Sequence, residues 1–235
     1  MIAGIALQGL TRVPHRTLRD HATRELREAL MNGRFEPGQR MTIRGLAEVL
    51  GMSMTPVREA VARLAAEHAI EAEPNRWVRV PILTAEALRE LRDIRVALEG
   101  LATERAALRA TPAFLAEVQQ READIVALRP LGDAKAMIPA IGRLHFAIYR
   151  GAGMPALVQL IEGLWLRSGP YNNLLFPGYA RQERGRLRAA TLAAMVRGDA
   201  AAARRSMEAD VGNALDWLID GVERAGRDRG GSPAG

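Results

Sequence analysis

Between Thr42 and Val80 the chain reads TIRGLAEVLGMSMTPVREAVARLAAEHAIEAEPNRWVRV, and this segment leaves few folds open. Thr42 precedes apolar positions at Ile43, Leu46, Ala47 and Leu50, the i, i+3, i+4, i+7 stripe of a helix that a threonine hydroxyl can cap. Gly51 supplies the backbone freedom that ends it. The Thr55-Pro56 pair then starts a second helix, with Thr55 as cap and the proline at the first position, where a missing N–H costs nothing. On that helix Val57, Val61 and Leu64 face inward, while Arg58, Ala62 and Ala66 fall elsewhere. Ile70–Glu73 and Val78–Val80 read as two short strands around Pro74-Asn75-Arg76-Trp77. Two helices across a tight turn, followed by a hairpin, make a winged helix-turn-helix, a shape that enters a DNA groove.

The rest of the chain reads as helix. Leu18, Ala22, Leu26, Ala29 and Leu30 form a stripe that predicts a first helix to about Asn32, stopped by Gly33; residues 1–15 before it read as a loose arm. From Thr84 onward there is no strand alternation. Six helices are expected: from Thr84 to just before Thr111-Pro112, Pro112–Arg129, Asp133–Arg150, Pro155–Ser168, Tyr179–Arg197 and Asp199–Ala225. A long connection, Gly169–Gly178, separates the fourth from the fifth, and the tail GRDRGGSPAG has the composition of a disordered end. The expected fold class is mainly α, an N-terminal winged helix-turn-helix followed by an all-α antiparallel bundle. The domains divide as residues 10–80, 84–226 and a tail of 227–235. Low aromatic content, 4%, favours helices over a β-sandwich.

Charge and composition exclude more than they assign. The net charge of +6 permits a polyanionic partner, but the excess is +3 in residues 1–80 and +3 in the remainder, so it does not mark the DNA-reading half. With no cysteine, disulfides, thiolate metal sites and cysteine nucleophiles are out. The N-terminus lacks a secretory leader, and no 18-residue apolar run appears, Glu162 breaking the best candidate; a soluble, cytoplasmic protein is expected. No nucleophile elbow, phosphate loop or paired-carboxylate motif appears. A fused aminotransferase needs several hundred further residues and a Schiff-base lysine; Lys135, the one lysine, is a poor candidate. An enzyme is not expected, and no cofactor is assigned.

The strings RGLAEVLGMSMTPVREAVARLAAEH and PNRWVRV, then LRDIRVALEGLATERAA, LHFAIYRGAG and AAMVRGDAAAARRSM, resemble the GntR superfamily of bacterial transcription regulators. They resemble in particular its FadR-like subgroup with the all-helical FCD domain, over roughly residues 18–225. The resemblance implies a homodimer that sets two recognition helices on an inverted repeat of double-stranded DNA, and a bundle that senses a small organic ligand. Most members repress. Arg44 and Arg58 match arginines that contact DNA in the family; an Arg near a helix N-terminus clamps a phosphate or reaches guanine bidentately. Thr55 is placed for a phosphate, and Asn75 and Arg76 for the minor groove at the wing tip. The alternative for each Arg is a solvated charge or a pair with Glu48 or Glu59. Three departures stand out: Met54 where relatives carry Arg, Trp77 for the usual wing glycine, and His68 for the glycine after the recognition helix. The last two make the wing stiffer.

Many relatives hold a divalent metal with one Asp and three His. In register those positions are Ile141, His145, Arg188 and Asp210, and only His145 is retained. A guanidinium at ~5 Å repels a dication by roughly 7 kcal/mol at an effective dielectric of ~20, so no metal is expected. Two arrangements then compete. Arg188 takes the carboxylate of an organic acid, or Arg188 pairs with Asp210 and fills a degenerate cavity. His145 alone is as readily a hydrogen-bonded core residue. Arg95 fits the family's R-x-x-x-E pattern with Glu99 and is a candidate effector contact; an intrahelical ion pair worth a few tenths of a kcal/mol is the favoured alternative. Trp165, Tyr171, Asn172 and Asn173 line the mouth of a pocket or serve as core and loop. The rival overall reading is a DNA-binding protein whose bundle only dimerises.

Overall fold

The Thr42 hydroxyl accepts the Gly45 N–H at 3.0 Å, and Gly51 closes the same helix with a φ of 64°. Both features follow from the residue types, and between them lies α2 (Ile43–Leu50). The computed structural model describes residues 15–73, 77–175 and 184–230. Around α2 stand α1 (His15–Met31), β1 (Arg40–Met41), α3 (Met54–Ala66), β2 (Glu71–Glu73) and β3 (Trp77–Arg79). The arm expected over residues 1–15 lies outside the described residues except for His15, which opens α1. The wing tip of Asn75 and Arg76 also lies outside them.

Two local expectations need correction. The recognition helix starts two residues earlier than the Thr55 cap requires: Met54 is its first residue and Ser53 the cap position, without a side-chain bond. Pro56 is then the third helical residue, still among the first-turn N–H positions that have no intrahelical acceptor. The wing has three strands rather than two. Short β1 pairs antiparallel with β3 (Arg40 opposite Arg79, Met41 opposite Val78), placing β3 between β1 and β2. Two residues are too few for an alternation signal in sequence.

The bundle follows the expected helices closely. They are α4 (Ala85–Leu108), α5 (Pro112–Leu128), α6 (Ala134–Gly151), α7 (Pro155–Ser168), α8 (Arg184–Val196) and α9 (Ala200–Gly230). Thr84, Thr111 and Asp133 cap the first three through their side chains. Gly169–Leu175 forms 3-10 turns rather than open loop. Residues 176–183, which hold the start of the expected helix from Tyr179, lie outside the described set. Helix α9 runs on to Gly230, which corrects the tail expectation for residues 226–230. One glycine costs only about 1 kcal/mol in a helix interior, too little to stop a helix already seven turns long.

Two apolar cores result. One joins α1, α2, α3 and the wing through Leu26, Leu30, Val57, Val61, Leu64 and Val78; the other fills the bundle. Leu166 of α7, fully buried, belongs to the first core although its helix belongs to the bundle. Arg27 of α1 extends this seam, bonding Glu67 at the end of the recognition helix and Glu162 of α7 at 3.3 Å. Among the described residues, no helix is long and apolar enough to cross a membrane.

At the seam a Cβ on Gly169 would stand 2.5 Å from the Leu30 carbonyl oxygen and 2.7 Å from Met31 Cα. Backbone cannot yield there as a side-chain tip does. Gly169→Ala is therefore expected to destabilise the protein by about 1–3 kcal/mol in urea denaturation; an unchanged midpoint would show that α1 and α7 are not locked together.

Candidate functional site

Recognition helix, α2 and wing enclose an open groove of about 810 Å³ whose lining includes Thr42, Arg44, Met54, Arg58, Ala62, Glu73 and Trp77. Arg58 and Thr55 are exposed, and Met54 is 49% exposed at the first position of the helix. Arg44 forms an ion pair with Glu48 at 3.1 Å, both side chains largely in water. Such an exposed pair contributes little and yields readily to a phosphate. His68 takes a φ of 56°, the left-handed conformation that suits glycine, at a strain on the order of 1–2 kcal/mol. Trp77 stacks under the Arg79 guanidinium at 5.3 Å, and Arg79 also binds Glu71 directly opposite it on β2. The base of the wing is thus braced by side chains where a glycine would leave it slack.

The second feature is buried. Ile141, His145, Arg188 and Asp210 converge on one cavity inside the bundle, with Arg95, Trp165, Asn172 and Leu175 completing much of its wall. Its volume is about 40 Å³. Helix spacing brings these groups together: His145 and Tyr149 are one turn apart on α6, and Arg95 and Glu99 one turn apart on α4. Glu99 has no exposed surface and accepts from Arg95 Nε at 2.6 Å, Trp165 Nε1 at 3.0 Å and the Tyr149 hydroxyl. Arg95 continues to Ser168 Oγ at 2.8 Å and lies 4.6 Å above the Trp165 ring. The single Tyr149 proton goes to Glu99, so His145 Nδ1, 3.0 Å away, donates to the tyrosine oxygen. That leaves His145 Nε2 facing Asp210 Oδ2 at 3.3 Å, without hydrogen-bond alignment. Burial, and then the Glu99 charge, push the Tyr149 hydroxyl well above its ordinary pKa.

Arg188 does not pair with Asp210, as one of the two expected arrangements had it. Its Nε donates to Glu122 Oε2 of α5 at 3.0 Å, with both residues buried. Its Nη1 is buried with no hydrogen-bond partner. The Arg95–Glu99 ion pair is present, but sealed inside a network, so the scale of a few tenths of a kcal/mol for exposed helix pairs does not apply. The donor set does not fit a divalent cation. Ile141 offers no lone pair, Arg188 brings a positive charge, and His145 Nδ1 is engaged by Tyr149. Among the described residues no group of three or more His, Cys, Asp or Glu is arranged to hold a metal ion.

Sequence reasoning missed Glu122 and Tyr149. Glu122 left a signal: Val118, Glu122 and Ile125 share one buried stripe of α5, and an acid inside an apolar stripe requires a partner. Of the residues assigned either to a pocket mouth or to core and loop, Trp165 and Asn172 line the cavity. Tyr171 is buried and accepts the Leu83 N–H at 2.6 Å, while Asn173 bonds the Gly33 carbonyl.

Known proteins share both parts. Residues 18–80 match the model of bacterial regulatory proteins, gntR family, and residues 90–213 match the FCD domain. The HTH-type transcriptional regulator McbR of Escherichia coli (strain K12) is 35% identical over 170 residues, 72% of this chain and 77% of that protein. The solved structure of E. coli McbR/YncC is similar at a TM-score of 0.82 and 32% identity, covering 87% of this chain and 98% of that one. A putative transcriptional regulator GntR from Rhodococcus sp. RHA1 has a TM-score of 0.70 at 20% identity, a likeness of fold alone. These relatives are regulators and not enzymes.

Glu99→Ala would leave the Arg95 charge, the Trp165 N–H and the Tyr149 hydroxyl without their acceptor, so a loss of about 3–5 kcal/mol is expected in urea unfolding. A loss below about 1 kcal/mol would mean that the network is decorative. The raised Tyr149 pKa adds a pH signature. Its stabilisation is complete below the unfolded value of about 10 and is lost as pH climbs from there towards the folded value. Tyr149→Phe should therefore flatten the alkaline limb of a Tm profile; an unchanged limb would contradict the assignment.

Proposed function

Because the chain belongs to the GntR family of bacterial transcriptional regulators and carries its FCD domain, we propose that it acts in the cytoplasm as a ligand-responsive repressor. In this reading residues 10–80 form the DNA-binding domain, and residues 84–226 bind effector and dimerise. Two copies present their α3 helices to the half-sites of an inverted repeat. Arg58 reads a base edge or clamps a phosphate, Arg44 releases Glu48 to bind the backbone, and Thr55 adds a hydroxyl near the positive end of α3. Asn75 and Arg76 take the minor groove from the wing tip. Met54, in the groove wall, offers apolar contact to a thymine methyl rather than a charge.

The effector is a small organic acid, and one observation carries this: the buried, unpartnered Nη1 of Arg188 in the wall of the cavity that His145 and Asp210 also line. A buried cation with a spare donor favours an anion. Arg188 would anchor the carboxylate, His145 would orient it, and Arg95 would hold the wall through Glu99 and Trp165. The cavity size favours a second reading. Ligand sites commonly reach ~300–1,000 Å³, far above about 40 Å³, so a bundle that only dimerises is the alternative. A thermal-shift screen of carboxylates separates the two, since a ligand of the folded state must raise Tm.

Arg58→Ala is expected to weaken operator binding by about 5- to 150-fold, the equivalent of ~1–3 kcal/mol, with the dimer unchanged in sedimentation. Unaltered affinity in fluorescence anisotropy would remove the recognition-helix assignment. Arg188→Ala should leave operator affinity within about twofold and abolish the Tm rise given by any stabilising carboxylate. A rise of the same size in the variant would refute the anion anchor.

A further inference from the structure

The turn segment Gly169–Leu175 touches three parts of the molecule at once. Asn172 and Leu175 line the bundle cavity. Tyr171 holds the linker at the Leu83 N–H. Asn172 Nδ2 donates to the Met31 carbonyl at 3.1 Å, and the Asn173 amide donates to the Gly33 carbonyl. Met31 is the last residue of α1, where carbonyls have no partner within their own helix. The end of a DNA-head helix is therefore capped by side chains from the bundle, and Gly169 lets the two backbones approach closely enough for it. Helix α1 in turn carries Leu26 and Leu30 in one core with Val57 and Leu64 of α3, and Arg27 on Glu67.

We propose that Asn172 is the residue through which occupancy of the cavity is read by the DNA-binding helices. This rests on the reading of the cavity as an effector site. Asn172 is half-buried, lines the cavity and donates from its amide to the Met31 carbonyl. A carboxylate in the cavity is a charge-assisted acceptor, roughly twice as strong as a peptide carbonyl. To reach it the Asn172 amide plane turns into the cavity and carries both Nδ2 hydrogens off the Met31 carbonyl, and the last turn of α1 loses its cap. Helix α1 then moves more freely against α7, and the recognition helix packed on it loses its fixed attitude towards the bundle. Coupling of this kind is reciprocal, so operator binding must weaken or strengthen acid binding by the same factor. Asn173 caps the same helix end without lining the cavity, which makes it the internal control.

The test uses the full-length dimer, its own promoter-region DNA, and two probes, acetate and succinate. Without any acid, Asn172→Ala should raise hydrogen exchange about tenfold at the amides of Asn32, Gly33 and Arg34, which bond back into α1. Exchange in α4 should stay unchanged, and operator affinity should shift by at least about fivefold. With acid, raised in concentration until it lifts the variant's Tm as it does the native protein's, the variant's operator affinity should no longer respond. Asn173→Ala should speed the same amides and keep the response. A full response in Asn172→Ala overturns the proposal, as does loss of the response in both variants alike, the mark of a merely structural cap. If neither acid stabilises the native protein, the organic-acid reading loses its support and the acid-free arm decides. Unmoved amides and unmoved operator affinity in Asn172→Ala then overturn the relay by themselves.

Discussion

A carboxyl group with no exposed surface must find its donors within the helical bundle, and Glu99 has them from three helices. Arg95 comes from its own helix, Tyr149 from α6 and Trp165 from α7. Because each donor enters from a different direction, satisfying Glu99 fixes how α4, α6 and α7 lie against one another. The ring of His145, Phe146, Tyr149 and Trp165, with edge-on contacts of 5.2 to 5.9 Å, then packs around that point. The cavity is what this arrangement leaves over. Arg188, bonded to Glu122 through Nε, keeps a buried Nη1 donor without a hydrogen-bond partner in the wall of that cavity.

The same arrangement orients the seam. Trp165 serves the buried network while its neighbour Leu166 enters the core of the DNA-binding half. Ser168, bonded to Arg95, is followed by Gly169 pressed against the end of α1. Consecutive residues of one helix thus face the bundle cavity and the N-terminal core in turn. A change of a few tenths of an ångström at Glu99 has little slack to disappear into, since close-packed interiors transmit strain.

Much of this was legible in the residues, and the exceptions are physically consistent. Thr42, Gly51, Thr84, Thr111, Asp133 and Pro155 are local signals acting through local bonds, and the helix ends they mark fell within a residue or two. The recognition-helix cap is ambiguous in sequence because Ser53 and Thr55 offer the same hydroxyl two residues apart, and Ser53 makes no capping bond at all. Strand β1 was invisible because its two residues have a reason to extend only in the presence of β3. The convergence of Ile141, His145, Arg188 and Asp210 on one cavity came from family register, which periodicity alone does not supply. What no single-chain reading supplied was partner choice among buried charges. Arg188 had Asp210 and Glu122 within its range of partners, and which one it takes depends on how α5 and α9 are set.

The proposed effector site stands or falls on Arg188 holding an anion inside the bundle. A crystal structure of the protein grown with a carboxylate that raises its Tm would test this most directly. The expected result is carboxylate density at Arg188 Nη1, inside the cavity that His145 also lines, with the Arg188–Glu122 bond retained. Density for that acid elsewhere on the chain, with only ordered water beside Arg188, would contradict it.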